Sequence, residues 1–212
     1  MLTLDPHQLE AVKWLHDRKG RGLVYADAGT GKTFIATAYA LEAGLKRALI
    51  LCPATLKAQW RDEIRKFCGE EAQVIDGPPF SRQKQWKSGW RFMIANYELV
   101  ASDYDAIVRL APDGIFADES HYVNSPVAKR TKAFKELQVP VRVALSGDPF
   151  PNGPWEAFSV LDWISPGLLG RNFWAFRAAW CVMHPHIKQA IVGMRDKEQF
   201  QRTIAPHIFR IH

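Results

Sequence analysis

The apolar residues fall into short continuous runs separated by amphipathic stretches. "DPHQLEAVKWLHDR" has helical spacing, with Asp5 placed to cap it and Pro6 at its first helical position. "GLVYA" (22–26) follows as a strand, and "KTFIATAYALEAG" as a helix that Gly44 ends. The alternation continues through strand 47–52, helix 55–67, strand "AQVIDG", short helix "PFSRQKQWKSG" and strand 91–97. A helix around 103–111, strand "GIFA", a helix around 127–137 and strand 141–147 complete it. Strands this uniformly apolar are covered on both faces, which predicts a parallel sheet between two helical layers. Right-handed crossovers make it a doubly wound α/β fold. From about residue 153 the strand pattern stops. The rest reads as a helical extension whose aromatics, Trp155, Trp163, Trp174 and Trp180 among them, pack onto the sheet.

Composition narrows this only a little. The 212 residues, 47% hydrophobic and 24% charged, suffice for one domain with a sizeable core. No apolar run approaches the ~20 residues of a membrane span, and the N-terminus lacks a basic signal region. No membrane partner is expected. Cys52, Cys68 and Cys181 show no paired spacing, which points to a reducing compartment. The net charge of +6 favours a polyanionic partner, although many basic domains bind none.

Two motifs carry chemistry. "ADAGTGKT" (26–33) lies between a strand and a helix, the context of a phosphate-binding loop. Gly29 and Gly31 let the backbone curl so that N–H groups from Ala28 to Thr33, Thr30 included, face one point at a helix N-terminus. Lys32 would reach the β- and γ-phosphates, and the Thr33 hydroxyl would bind Mg²⁺. The strict signature has Gly where this chain has Ala26. "DESH" (118–121) ends the apolar run "PDGIFA". In phosphate-loop enzymes an acid at the end of a neighbouring strand holds Mg²⁺, the place of Asp118. Glu119 could then deprotonate a water. The pair predicts an ATP site that requires Mg²⁺.

With these motifs quoted, the chain resembles superfamily-2 helicases, and more closely the Swi/Snf-type double-stranded DNA translocases, including the annealing-helicase branch. "AGTGKT" is similar to motif I, "LCPATLKAQW" to motif Ia, "DESH" to motif II, and "LSGDPFPNGPWEAFSVLDWISP" to the run holding motif III. "VNSPVAKRTKAF" resembles the stretch after motif II, and "IAPHIFRIH" the end of the family's first lobe. The resemblance implies a RecA-like doubly wound parallel sheet over 1–150, with a C-terminal helical extension over 151–212 reaching an interlobe linker. It also implies a second RecA-like lobe in the full-length protein, which supplies the arginine finger. It makes Lys32, Asp118, Glu119 and His121 catalytic, His121 linking the γ-phosphate site to motif III. "PHQLEAV" looks like the adenine-recognition segment, with Gln8 as base contact. The implied function is an ATPase lobe, poorly active alone, of a translocase that tracks the duplex DNA backbone. A lobe of an RNA or strand-separating helicase, or a nucleotide-gated module without turnover, stays open. The compartment would be the cytoplasm for a microbial or viral protein, or the nucleus for a eukaryotic one. Asp148 stands where motif III has threonine, which puts the coupling of ATP state to DNA grip in question.

Candidate nucleic-acid contacts follow from the same resemblance: Lys57, Gln59 and Trp60 after the second strand, and Asn96 and Tyr97 in "IANYELV", which is similar to the family's "SYE" segment. The alternative for 57–66 is a solvated, mixed-charge helix face. Residues 77–91 hold Arg82, Lys84, Lys87 and Arg91 with Trp86 and Trp90 and no acid. That suits phosphates and bases, but equally a crossover whose tryptophans pack on the sheet, the preferred reading for Trp90. "CVMHPH" offers Cys181, His184 and His186 but no fourth zinc ligand, so packing is preferred there.

Overall fold

The computed structural model describes residues 3–27, 29–187 and 190–211. In chain order the elements are α1 (Pro6–Asp17), β1 (Arg21–Ala26), α2 (Lys32–Glu42), β2 (Ala48–Cys52), α3 (Lys57–Cys68), β3 (Ala72–Val74), α4 (Pro79–Gln85) and β4 (Phe92–Asn96). There follow α5 (Tyr97–Ser102), α6 (Tyr104–Leu110), β5 (Gly114–Ala117), α7 (Lys129–Glu136), β6 (Val141–Ser146), α8 (Ala157–Ile164) and α9 (Phe173–Trp180). Then come β7 (Cys181–Met183), β8 (Ile191–Met194), α10 (Lys197–Ile204) and β9 (Ile208–Ile211).

Among the described residues one sheet has the order β3-β4-β2-β5-β6-β1-β9, and every neighbouring pair is parallel. Successive strand residues alternate between two cores, as the pleat dictates. Ile50, Ile94, Phe116 and Leu145 face α1, α2 and α3, where Leu15, Ile35 and Ile64 wait. Leu49, Met93, Ile115 and Ala144 face the opposite layer, which includes Ile107, Phe134, Phe158 and Trp163. The RecA-like α/β fold expected from the sequence is therefore present.

The C-terminal quarter differs from its all-helical expectation. α8, α9 and α10 are there, but β7 and β8 form an antiparallel hairpin and β9 joins the main sheet. β9 lies parallel to β1, with Leu23 opposite Ile208 and Ala26 opposite Ile211. These strands are only three or four residues long and partly exposed, too short for alternation to show in the sequence. Tyr97 is a second difference: it opens α5 rather than ending β4.

The crossover 77–91 is anchored by charge. Arg82 donates to both oxygens of Asp103, at 2.7 and 2.8 Å, and the Trp86 indole adds a third hydrogen bond at 2.9 Å. Both side chains of the ion pair are mostly buried. Burial pushes the Asp103 carboxyl up, but its bonds from Arg82, Trp86 and Ser102 outweigh that and hold it below the usual carboxylate range. Trp86 is buried, one of the two readings the sequence left open, whereas Trp90, for which packing was the preferred reading, is 41% exposed.

Candidate active site

The phosphate loop leaves β1 at Ala26 and enters α2 at Lys32. Gly29 and Gly31 take φ of +84° and +82°, the left-handed region that side chains disfavour. A Cβ on Gly31 would also collide with the Gln8 carboxamide. That carboxamide donates to Thr30 O at 3.0 Å and accepts from Asp5 N at 3.0 Å. It is buried, so α1 is pinned to the loop through its own capping box. One N–H and one oxygen lone pair of the amide are left for the adenine contact expected from the sequence. The Thr30 hydroxyl donates to Asp27 O at 2.8 Å, which tightens the turn. Lys32 folds back, its Nζ donating to Ala26 O at 2.8 Å and Asp27 O at 3.2 Å. Thr33 is buried in the first turn of α2. Ala28 lies outside the described residues.

The acidic pair follows β5. Asp118 is buried, and four hydrogen bonds fix it. Trp60 Nε1 donates to Oδ2 at 2.8 Å, Glu119 N to Oδ1 at 2.9 Å, and the Tyr97 hydroxyl to the main-chain carbonyl at 2.7 Å. Its own N–H donates to Leu51 O at 2.7 Å. Glu119 has φ of +48°, a strained value for a residue with a Cβ. His121 Nδ1 lies 3.3 Å from Glu119 Oε2. The Ser120 hydroxyl is buried without a hydrogen-bond partner among the described residues.

These two motifs meet. A cleft of about 340 Å³ is lined by Gly29, Gly31, Lys32, Thr33, Asp118 and Glu119. β6 lies between β1 and β5, so both motifs open from the same carboxyl edge of the sheet. A Cβ on Gly147, at the end of β6, would be 3.7 Å from Lys32 Nζ. The start of the motif III segment therefore lies beside the phosphate loop, as the pairing of Tyr25 with Ser146 requires. Asp148 itself is exposed, its N–H 3.3 Å from Ser146 Oγ. Beyond it, Glu156 accepts from Asn152 Nδ2 at 2.8 Å and Asn124 Nδ2 donates to Pro149 O at 3.0 Å, which ties the turn after motif II to the motif III loop.

The donor set fits a hard divalent cation. Burial drives the Asp118 carboxyl up from 3.8 to about 6, and the charge of Glu119 adds to this against the bonds from Trp60 and Glu119 N and the charge of Lys32. A carboxylate that lines the same cleft as Thr33 suits Mg²⁺, which prefers oxygen ligands. The shift has a testable sign. A folded pKa above the unfolded one gives stability that is complete below pH 3.8 and lost as pH rises through about 6. In metal-free protein, wild type should lose about 2 kcal/mol relative to Asp118→Asn between pH 4 and pH 7. Urea melts of both proteins across that range measure it, and parallel curves would contradict it.

Three of the five residues expected to contact nucleic acid are buried and used within the fold. Trp60 is 2% exposed and its indole N–H serves Asp118. Tyr97 is fully buried, its hydroxyl on Asp118 O and its ring stacked 5.7 Å from Tyr122. Lys57 is buried with Nζ on Ile75 O at 3.1 Å and 3.2 Å from Asp76. The signal was present for Trp60, which shares the i, i+4, i+7 stripe of α3 with Ile64 and Phe67. Gln59 is exposed but donates to Glu63 at 2.8 Å and lines the cleft. Asn96 donates to Glu98 at 2.6 Å at the start of α5. In "CVMHPH", Cys181 is buried in the core and His184 Nδ1 accepts from His186 N and Ile187 N.

Residues 7–192 match the family described as the SNF2-related domain. The chain belongs to that family. DNA repair protein rhp54 of Schizosaccharomyces pombe is 33% identical over 199 residues, covering 79% of this chain and 23% of that protein. Human TATA-binding protein-associated factor 172 is 31% identical over 192 residues, covering 79% of this chain and 10% of that protein. The Sulfolobus solfataricus SWI2/SNF2 ATPase core in complex with dsDNA superposes with a TM-score of 0.84 at 26% identity, over 99% of this chain and 44% of that one. The chain thus spans a tenth to a quarter of these two curated relatives and less than half of that solved core. Within the SNF2-related family it corresponds to the N-terminal RecA-like lobe.

Proposed function

We propose that this SNF2-related lobe binds and hydrolyses ATP, with a second lobe of the same full-length protein, to move along double-stranded DNA. The observation that carries the reading is the single cleft shared by Gly29–Thr33 and Asp118–Glu119. N–H groups of the loop and the first turn of α2 bind phosphate oxygens. Lys32 leaves its two carbonyl partners to reach the terminal phosphates. Thr33 and Asp118 hold Mg²⁺, which when bound neutralises phosphate charge. Glu119 aligns the attacking water and takes its proton at the carboxylate. His121, beside Oε2, orients that carboxylate. Gln8 braces the loop and offers its remaining N–H and oxygen lone pair to the base. An arginine from the second lobe would add about 10³-fold or more to turnover.

Support for a DNA partner comes from the relatives: one is named a DNA repair protein, and the solved core is in complex with dsDNA. No helix among the described residues is long and apolar enough to cross a membrane. With three unpaired cysteines, the cytoplasm, or the nucleus in a eukaryote, is the proposed compartment.

The test uses a protein carrying both lobes. ATP hydrolysis should be stimulated most by duplex DNA, with little dependence on its sequence and a steep loss as salt rises. Greater stimulation by RNA would move the protein to another helicase class, and tight ATP binding without turnover on any nucleic acid would favour the nucleotide-gated module.

A further inference from the structure

The proposed ATP site uses none of the basic residues between Gly77 and Arg91. The fold uses two of them: Arg82 is held by Asp103, and Arg91 lies 3.2 Å from Glu70. Lys87 is left over. It lines a cleft of about 510 Å³ with Arg47, Arg109, Trp86 and Gly89, and the cleft's three charged residues are all cations. Arg47 leans on Asp113 at 3.7 Å, whereas Lys87 and Arg109 are exposed and make no ion pair among the described residues. Three cations around one concavity repel one another unless an anion sits between them.

Two exposed aromatics accompany these cations. Trp90 follows Gly89 and is 41% exposed, and Phe80, on α4, is 69% exposed with Lys84 Nζ 4.5 Å from its ring centre. Position separates this face from the ATP cleft. Arg47 precedes β2, and Gly89 and Trp90 precede β4, so the basic cleft opens at the amino ends of the parallel strands. The phosphate loop opens at their carboxyl ends.

We propose that this edge binds single-stranded DNA, with phosphates on Lys87, Arg109 and Arg47 and an unpaired base on Trp90. Charge selects a polyanion. The exposed indole selects a single strand, since base faces inside a duplex are already stacked on one another. The choice of DNA over RNA rests on the function proposed above; the binding itself does not depend on ATP hydrolysis.

The probe is a fluorescein-labelled oligothymidylate of about 15 nucleotides, titrated with this chain and followed by anisotropy. Lys87→Glu with Arg109→Glu should weaken binding tenfold or more and reduce the salt slope by about 1.4. Trp90→Ala should weaken it about fivefold or more without changing that slope. Lys197→Glu with Arg202→Glu, exposed on α10, controls for net charge and should cost much less. Lys32→Ala should bind the oligonucleotide like wild type, which keeps this site distinguishable from failure of the ATPase reading. Equal loss in the α10 control, or wild-type affinity in Trp90→Ala together with equal competition by duplex, would overturn the proposal. Equal binding of oligouridylate would overturn the choice of DNA.

Discussion

Glu119→Gln, in a protein carrying both lobes, should lower duplex-stimulated ATP hydrolysis by about 10²–10⁴-fold while leaving nucleotide binding intact. The carboxamide keeps the size of the side chain but cannot take the proton of the attacking water. Lys32→Ala should fail earlier, by losing affinity for the triphosphate, since the loop then lacks the cation aimed at its outer charges. Hydrolysis by a coupled assay and binding by calorimetry separate the two steps. Wild-type turnover in Glu119→Gln would refute its role as the base. Unchanged affinity in Lys32→Ala would refute the phosphate cradle, and with both results the family's chemistry could not be assigned to this cleft.

Asp103→Ala should cause the largest loss of stability among single polar substitutions. It removes the acceptor of two Arg82 bonds and one Trp86 bond, and it leaves a guanidinium largely enclosed without its counter-charge. Breaking such a pair costs about 3–5 kcal/mol. For a domain of this size that lowers Tm by roughly 6–20 °C. The exposed pair Arg61–Asp62, at 2.8 Å, is the comparison, and Asp62→Ala should leave the melting temperature nearly unchanged, since solvent screens both charges. Thermal melts of both variants decide it. A drop of only a degree or two in Asp103→Ala would mean that Arg82 finds water or another acceptor. The Asp103 contribution should also fade as pH falls below the usual carboxylate range, since its folded pKa lies below its unfolded one.

The sheet was legible because its strands are apolar on both faces, a pattern that excludes a half-solvated antiparallel arrangement. The phosphate loop and the acidic pair were legible because few residue types can do that chemistry. The sequence was silent on short edge strands, since three residues of β7 carry no period. Family resemblance suggested DNA at Trp60, Tyr97 and Lys57, all three of which are buried. There the fold had other uses for a buried indole N–H and a buried hydroxyl: both fix Asp118. The sequence left Arg82 and Trp86 ambiguous because their partner, Asp103, lies on the connection between α5 and α6. No local pattern links positions 82 and 103.

The lysine that bends back onto Ala26 O and Asp27 O gives the phosphate loop a latch. A nucleotide must outcompete two carbonyl oxygens before Lys32 can swing outward, and a monophosphate has too little charge, too near the sugar, to do so. Discrimination against AMP would then be set by the chain's own resting geometry, before any second lobe closes over the ligand.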